Sequence, residues 1–405
     1  MIREKSLVAY HFSKKNMPRR TEFTLYKAKT ILNKHKRADH WFWTRYTAYP
    51  YLGCQHGCEF CYCREQKFSP FDDPSDFAYT IHVKENAPQL LCKAIARAKT
   101  DLVFTGDYQP AENKFKLSRQ MLEVCLERNF PVFILERLPL ILRDLDLLTE
   151  INNRAVAATA FSIISTPDSV HYERIRQMEH LAPPSEKRFA AMEKIAAAGI
   201  QTGACMMPLL PELCDNDQNL ESIIQWTVDH GGTFVLAGGL TLSDQQRAFF
   251  FDVLAERFPD MLPAYEKLYP QGKSYDAADG NWRRTALKIR KLCEKHGIKD
   301  RMPRPIIPGD KFATNKRIVE ILADKLYELD LERAHKSRRW DYRKAAWAIE
   351  DLQQDIKLIY KTMGRKGIEG IENVGTKMGT KVEEILKEVM QETLPEERKT
   401  AGQLF

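Results

Sequence analysis

The segment Gly53-Cys54-Gln55-His56-Gly57-Cys58-Glu59-Phe60-Cys61-Tyr62 places three cysteines at C-x3-C-x2-C spacing on one short stretch of chain. Three thiolates at this spacing can hold three corners of a [4Fe-4S] cluster, whereas a cluster that only carries electrons is held by four cysteines. The segment therefore predicts that Cys54, Cys58 and Cys61 bind three irons. It also predicts that another molecule binds the fourth iron.

A structural zinc knuckle, or a set of buried thiols, is the alternative interpretation of the same cysteines. Zinc knuckles are usually assembled from pairs of cysteines two residues apart, and only one such pair, Cys58 and Cys61, occurs in this chain. We therefore favour the cluster. Cys63 lies just beyond the triplet and is interpreted as a candidate redox or hydrogen-donating thiol, and its neighbour Tyr62 is the second candidate catalytic residue.

The length of 405 residues is sufficient for two domains and a large core. No apolar run has the length of a membrane span or the form of a cleavable signal. Nine cysteines, an odd number without a secretory leader, favour a reducing compartment, and we expect a cytoplasmic protein with no membrane partner.

The positive charge is concentrated at the amino end of the chain. The net charge is +7, but residues 1–50 contain 12 Lys or Arg against 3 Asp or Glu. Such a concentration is typical of a polyanion-binding surface, and a solvated basic arm without a partner is the alternative. The basic residues concerned are Lys14, Lys15, Arg19, Arg20, Lys27, Lys29, Lys34, Lys36 and Arg37.

Beyond the cysteine segment, short apolar runs alternate with amphipathic helical patterns. This rhythm predicts a parallel sheet with outer helices, and a cofactor in such a fold lies at the carboxyl ends of the strands. The predicted strands are 102–104, 131–135, 156–164, 202–206 and 233–236. From about residue 312 the pattern becomes wholly helical. The predicted organisation is a basic extension over 1–45, an α/β domain over 46–305, a helical domain over 312–392 and a loose tail over 393–405.

Several further motifs accompany the cysteines in a fixed order along residues 22–244. They lie at 27–34, 41–42, 50–58, 61–62, 108–112 and 141–146, followed by Ser162, Glu179, Pro208 and 216–217. In this order they resemble the spore photoproduct lyase-like branch of the radical SAM proteins, often labelled DNA repair photolyases. The resemblance implies a partial (β/α)6 barrel. It also implies a cluster that, once reduced by a donor such as flavodoxin or ferredoxin, cleaves S-adenosylmethionine to methionine and a 5′-deoxyadenosyl radical.

The resemblance also suggests which side chains contact S-adenosylmethionine. Arg137 stands where the family usually has a lysine, and Arg137 and Ser162 are the candidates for the methionine carboxylate. Gln109, Glu112 and Glu179 are the candidates for the ribose or the amine. For each of these five residues, an ordinary polar contact or salt bridge within the protein is the alternative interpretation.

Two positions depart from the pattern of this branch. Phe104 stands at the position nearest to the hydrogen-donating cysteine of the spore enzymes, and Tyr49 stands where many relatives have Asn. The first departure argues against repair of the spore photoproduct by the known route. Cys63 or Cys205 could replace the missing thiol, although Cys205 is expected to be a buried apolar residue.

Residues 315–390 resemble the small helix-hairpin-helix domain at the amino end of family X DNA polymerases. The motifs that carry this resemblance are 315–322, 342–349 and 371–377. A hairpin of this kind directs backbone N–H groups at a helix start toward a DNA phosphate without reading sequence. The residues predicted to bind DNA are Asn373, Gly375, Lys377, Lys381 and Arg343. Phosphate contact is the favoured role of Lys381, and Schiff-base formation with an abasic sugar is the alternative.

The sequence therefore predicts a radical SAM enzyme that acts on DNA, most plausibly as a lyase on a damaged base. A second hypothesis keeps the chemistry but moves the target to RNA, a protein or a small molecule. A third hypothesis is a DNA-binding protein whose cluster senses redox state without catalysis.

Overall fold

The structure is a computed structural model that describes residues 19–271 and 281–392. Lys14, Lys15 and the predicted tail 393–405 lie outside the described residues. The strands, in chain order, are β1 Glu22–Tyr26, β2 Asn33–Lys34, β3 Tyr46–Thr47, β4 Tyr51–Leu52, β5 Thr80–Lys84, β6 Val103–Phe104, β7 Val132–Glu136, β8 Ala157–Ser162, β9 Gly203–Leu209 and β10 Phe234–Gly239.

The helices occupy the connections between the strands and the whole of the carboxyl-terminal region. They are α1 Ala87–Ile95, α2 Glu112–Phe115, α3 Leu117–Glu127, α4 Leu145–Arg154, α5 Tyr172–Met178, α6 Ser185–Ala197, α7 Asp217–Asp229, α8 Asp244–Arg257, α9 Leu262–Leu268, α10 Asn281–His296, α11 Ala313–Leu331, α12 Lys336–Glu350, α13 Ile356–Glu369 and α14 Gly375–Val389. Among the helices that the structure describes, none is both long and apolar enough to cross a membrane.

The main sheet has the strand order β10-β9-β8-β7-β6-β3-β2. The strands from β3 to β10 in this sheet run parallel to one another, and β2 pairs antiparallel with β3 at the edge. A second, three-stranded sheet has the order β1-β5-β4. The prediction of an α/β fold with a partial (β/α)6 barrel followed by a helical region is confirmed.

The two faces of the parallel sheet bury different cores, as strand alternation requires. On β7, Val132 and Ile134 belong to the core that packs against the outer helices. Phe133 faces the other side, where the apolar cluster includes Ile318 and Leu322 of α11. The carboxyl-terminal helices therefore share a core with the concave side of the barrel.

Polar contacts show which end of the barrel the carboxyl-terminal helices cover. Arg45, just before β3, donates to Glu350 at 3.0 Å. Asp101, just before β6, lies 3.8 Å from Lys316. These residues precede their strands, so the helices dock at the amino ends of the strands. The cysteine segment follows β4 at the opposite, carboxyl end.

The amino-terminal region differs from the predicted basic extension. From residue 19 onward it is part of the folded structure, because β1 pairs with β5 and β2 pairs with β3. Arg19 forms an ion pair with Asp76 at 2.5 Å, and the Trp43 indole is buried and donates to the carbonyl of Met302 at 2.8 Å. Strand pairing and burial of Trp43 therefore replace the free arm that composition alone indicated.

Candidate active site

Gln109 fixes the start of the cysteine segment. Its Oε1 accepts from the backbone N–H of Gln55 at 3.0 Å, and its Nε2 donates to the carbonyl of Gly53 at 3.1 Å and to Asp107 at 3.2 Å. The side chain is fully buried. The predicted contact of Gln109 with a cofactor is therefore replaced by a structural one, since its amide is used to hold the loop.

Gly53 adopts φ +84°, and a Cβ atom there would overlap the carbonyl oxygen of Thr80. We expect Gly53→Ala to lower the free energy of unfolding by roughly 2–4 kcal/mol, because a left-handed backbone strain adds to an overpacking cost. Gly297 is the matched control, since it has φ +65° with no atom within 4 Å of its Cβ position. Urea unfolding should show that Gly297→Ala costs only the strain, about 1–2 kcal/mol. Equal effects at the two positions would contradict the overlap.

Arg64, which the sequence patterns did not single out, holds the cysteine segment from behind. Its guanidinium donates to the carbonyls of Gly57 at 2.9 Å and Cys58 at 3.2 Å, and also to the carbonyl of Pro74. It lies 4.3 Å from the centroid of the Phe249 ring and is buried. A buried cation thus satisfies backbone oxygens of the loop that would otherwise lack partners.

Arg64→Met keeps a long side chain but removes these donors, so we expect the loop to hold its metal less tightly. Residues that support metal ligands typically change metal affinity 10–100-fold when mutated, and we expect an effect of about that size. The measurement is the rate at which a chelator removes iron from the reconstituted protein. Arg174→Met, which removes an exposed partner of Asp260, is the control and should leave the rate unchanged. Equal rates for the two variants would contradict this role of Arg64.

The three predicted cluster ligands lie together with one cation. The Cys58 thiol is buried, and those of Cys54 and Cys61 are half-buried. The thiols interact electrostatically with one another, and the Arg137 guanidinium interacts with all three. Burial raises the pKa of the Cys58 thiol to about 11, against the opposing effect of Arg137.

This arrangement fits an iron–sulfur cluster better than a single ion. Within residues 19–271 and 281–392, no three His, Cys, Asp or Glu side chains are close enough to hold one metal ion. In a [4Fe-4S] cluster each thiolate binds a different iron, so the sulfurs stand farther apart than the ligands of one ion. In addition, Nδ1 of His56 in the same segment is buried without a hydrogen-bond partner. Three thiols on one loop are the donor set that three irons of such a cluster require, and the cluster itself stays a prediction.

Arg137, directly after β7, is held in place by Glu179. Its Nη1 donates to Glu179 Oε2 at 2.5 Å, and Arg188 donates to Oε1 of the same carboxylate at 2.8 Å. Arg176 approaches Oε1 at 3.4 Å. Burial alone would raise the pKa of Glu179, but the surrounding guanidinium groups lower it below its ordinary value. With both oxygens engaged, Glu179 positions Arg137, and its predicted contact with the ribose or amine stays a prediction.

Glu112 is also fully engaged inside the protein. Its Oε2 accepts from the Tyr51 hydroxyl at 2.5 Å and from the backbone N–H of Ser118 at 3.1 Å, and its Oε1 accepts from Arg143 at 2.9 Å. The side chain is fully buried. The Glu112 carboxylate therefore has partners within the fold, and its predicted contact with the ribose or amine stays a prediction.

Ser162 ends β8 at the same edge of the sheet as Arg137. Its carbonyl accepts from Nη1 of Arg188 at 2.8 Å, so Arg188 connects Ser162 to Glu179. The residue is buried. Its hydroxyl forms no hydrogen bond with the part of the chain that the structure describes, and the predicted contact with the cofactor carboxylate stays a prediction.

Two carboxyl groups at neighbouring strand ends were missed by the sequence patterns. Asp107 follows β6 with φ +71°, and Glu136 is the last residue of β7. Burial raises the pKa of Asp107 to about 7 and raises the pKa of Glu136 well above its ordinary range. Asp107 also interacts electrostatically with Cys54. Both acids could have been found from their place at the carboxyl ends of predicted parallel strands.

The two candidate catalytic residues lie at the cysteine segment. The Cys63 thiol interacts electrostatically with Cys61 and Cys54, and its pKa is raised well above the ordinary value, with the Cys61 side chain as the largest cause and burial as the second. Tyr62 is 53% exposed and stands edge-on to Phe68. Cys205, in contrast, is completely buried within the shared core, as expected from the sequence. The geometry brings Cys63 and Tyr62 to the candidate site, and their catalytic roles stay predictions.

The predicted DNA-binding residues of the hairpin lie elsewhere. Asn373 and Gly375 have left-handed backbones, with φ +68° and +62°, and the side chain of Lys377 is 76% exposed. Lys381 is half-buried. Arg343 lies on α12, with its guanidinium 5.4 Å from the centroid of the Trp340 ring. α14 packs on α11 and α12, which dock at the amino ends of the strands, so these residues lie at the end of the barrel opposite the cysteine segment.

Comparisons with known proteins find similar sequences in proteins that are themselves named as uncharacterized. An uncharacterized protein of Mycobacterium bovis is 28% identical over 235 residues, covering 56% of this chain and 68% of the relative. Another, from Methanocaldococcus jannaschii, is 28% identical over 172 residues, covering 42% of this chain and 62% of the relative. No family model matches the sequence.

Among solved structures, variants of spore photoproduct lyase share the fold. One superposes with a TM-score of 0.51 at 14% identity, covering 68% of this chain and 81% of that chain. Another, with a TM-score of 0.50 and the same identity and coverage, was solved with bound AdoMet and dinucleoside spore photoproduct. At this identity the likeness establishes the fold of the chain.

Proposed function

We propose that this chain is a radical SAM enzyme that acts on DNA, with a damaged base as its target. One observation carries the proposal: three thiols on one loop share a single cation, Arg137, at the carboxyl ends of a parallel half-barrel. Among the described residues, no fourth cysteine completes the set at spacing typical of an electron-transfer cluster. The fold shared with spore photoproduct lyase supports the same chemistry.

Cys54, Cys58 and Cys61 would hold a [4Fe-4S] cluster, which when bound would supply the electron that cleaves S-adenosylmethionine. Arg137, fixed by Glu179, offers a cation for the carboxylate of methionine. Asp107 and Glu136 offer oxygen atoms for its ammonium group. Phe104 and Tyr49 form an edge-to-face pair, with ring centroids 5.5 Å apart, that provides an apolar wall nearby.

DNA is favoured as the substrate by the carboxyl-terminal hairpin. Asn373 has a left-handed backbone, which Asn tolerates, at the position where the family X polymerases that this region resembles prefer glycine. Lys377 is exposed at the start of α14, where backbone N–H groups and a lysine together attract phosphate. The spore photoproduct lyase solved with a dinucleoside lesion is a second, independent support.

The test is an anaerobic assay of the reconstituted, full-length protein. The protein is reduced with dithionite and incubated with S-adenosylmethionine and UV-irradiated DNA, and 5′-deoxyadenosine and altered nucleosides are quantified by mass spectrometry. We expect 5′-deoxyadenosine to increase with damaged DNA while a lesion disappears. Formation at a rate indifferent to DNA would move the substrate to RNA, protein or a small molecule, and no formation at all would favour a redox sensor.

A further inference from the structure

The cysteine segment and the predicted hairpin lie at opposite ends of the barrel, and the chain between them runs through β1 and then through residues 27–37. Thr21, at the amino end of β1, accepts from the side chain of Gln55 in the cysteine segment at 3.2 Å, and β1 pairs with β5. The chain leaves the carboxyl end of β1 at residue 27. It then forms β2 along the free edge of the main sheet. It ends at Arg37, which forms an ion pair with Asp351 just beyond α12. One continuous piece of chain therefore runs along the open edge from the candidate site to the helical region.

The charge of this connecting stretch is entirely positive. Lys27, Lys29, Lys34 and Lys36 are exposed. None of the four forms an ion pair with any residue in the described ranges, and residues 27–37 contain no Asp or Glu. Four unpaired ammonium groups spaced along one edge match a chain of phosphates better than a single anion.

The positive edge continues onto an aromatic face of α12. Trp340 and Trp347 are two helical turns apart, with ring centroids separated by 6.0 Å. The Arg37 guanidinium lies 5.0 Å from the Trp347 ring, and the Arg343 guanidinium lies 5.4 Å from the Trp340 ring. Trp340 is 37% exposed. Aromatic rings interleaved with cations are the surfaces on which unpaired bases stack.

We propose that Lys27, Lys29, Lys34, Lys36, Trp347 and Trp340 form an edge track that binds one single strand of DNA between the cysteine segment and the hairpin. The proposal rests on the proposed function and specifies its substrate. The substrate is a strand long enough to reach both ends of the barrel, and the hairpin grips a part of that strand distant from the reacting base.

The shape of the edge track favours a single strand over a duplex. α11 begins beside Asp101, at the amino end of β6, and ends where Arg283 of α10 donates to the carbonyl of Leu331. Because α10 packs on β10, α11 and its antiparallel neighbour α12 cross the sheet. The edge track must therefore turn from the strand direction onto α12. A duplex far shorter than its persistence length of about 150 base pairs is straight and cannot follow this turn.

The dimensions give the length of strand that is required. The seven residues of β9 span roughly 23 Å along the barrel. The two helical turns from Trp347 to Trp340 add about 10 Å. At about 3.4 Å per stacked nucleotide, the strand must be on the order of ten nucleotides long to contact both ends of the edge track.

The test measures binding of fluorescein-labelled single-stranded DNA to the cluster-loaded full-length protein by fluorescence anisotropy. We expect a strand of about 20 nucleotides to bind at least about 10-fold more tightly than one of about 5. The quadruple variant K27E/K29E/K34E/K36E should lose this advantage. The slope of log affinity against log salt should fall by about three, since each contact to single-stranded DNA contributes about 0.7.

The control carries the same change in charge on other surfaces. K187E/K194E/K267E/K291E alters exposed lysines of α6, α9 and α10 and should bind like the unmodified protein. K27Q/K29Q/K34Q/K36Q gives a milder test, because it removes charge without introducing repulsion. Both glutamine and glutamate variants should weaken binding, with circular dichroism confirming that each is folded.

Three results would overturn the edge track: affinity independent of length, equal loss in the control variant, or tighter binding of a duplex of the same length. Formation of 5′-deoxyadenosine is scored separately. Turnover without length-dependent binding would refute the edge track and leave the proposed chemistry. Binding that depends on length and on the four lysines, without turnover, would support the edge track and refute the chemistry.

Discussion

Cys58→Ala is expected to abolish formation of 5′-deoxyadenosine and to remove the broad visible absorbance of a reconstituted iron–sulfur protein. Cys58 is the buried member of the triplet, and its thiol lies under the combined influence of Arg137 and Cys61. A cluster that loses one of only three predicted protein ligands is expected to assemble poorly, and the double variant Cys58→Ala/Cys63→Ala tests whether the neighbouring Cys63 thiol replaces the lost ligand. Iron content, absorbance and product formation measure the effect.

Cys92→Ala is the matched control for this experiment. Cys92 is a half-buried thiol on α1, away from the cysteine segment. It should retain full iron content and product formation. If Cys58→Ala kept an intact cluster, or if both variants lost it equally, the assignment of Cys58 as an iron ligand would be incorrect. A Cys63→Ala variant separates the two roles of this region, because a hydrogen donor is dispensable for cluster assembly.

The strands of the barrel were predictable because they are short apolar runs that can be recognised in the sequence. The predicted strand 131–135 corresponds to β7, Val132–Glu136, and the predicted strand 202–206 overlaps β9, Gly203–Leu209. Burial on both faces makes such strands continuous apolar segments, which the local sequence displays directly. The cysteine segment was equally visible, since its three cysteines are close in sequence.

The sequence did not reveal the internal partners of polar side chains when those partners are distant in sequence. Glu112 and Gln109 are needed by the fold itself, yet their partners Tyr51 and Gly53 lie more than fifty residues away. No local pattern distinguishes a carboxylate that holds a loop from one that contacts a ligand. Arg64 was missed for a different reason: its acceptors are close in sequence, but they are backbone carbonyls, which any residue type provides.

The basic amino-terminal residues show that composition alone does not predict where a charged stretch lies in the fold. Its charge was recognised, but charge alone predicts a solvated arm as readily as a surface. Only the pairing of β2 with β3 places Lys34 at the free edge of the sheet, and only the contact of Arg37 with Trp347 joins that edge to α12. The strand pairing and the contact with α12 therefore show where the basic residues lie, which composition alone does not.

Glu179→Gln is expected to lower the free energy of unfolding by about 3–5 kcal/mol, because it leaves buried guanidinium groups without their counter-charge. Glu179 is 1% exposed, and Arg137 and Arg188 both donate to it. Urea unfolding at neutral pH measures the loss. Glu193→Gln, at an exposed position on α6, is the control and should change stability by no more than about 0.5 kcal/mol.

Glu179 also determines the direction in which the free energy of unfolding changes with pH. The folded-state pKa of Glu179 is held below its ordinary value, so the stability it contributes is fully present above that ordinary value and is lost as pH falls toward the folded-state pKa. The unmodified protein should therefore lose stability on acidification more steeply than Glu179→Gln, which has no proton to gain at this position. Parallel curves for the two proteins between neutral and acidic pH would show that folding does not lower the pKa of Glu179, and would contradict a stabilising interaction of its carboxylate with Arg137 and Arg188.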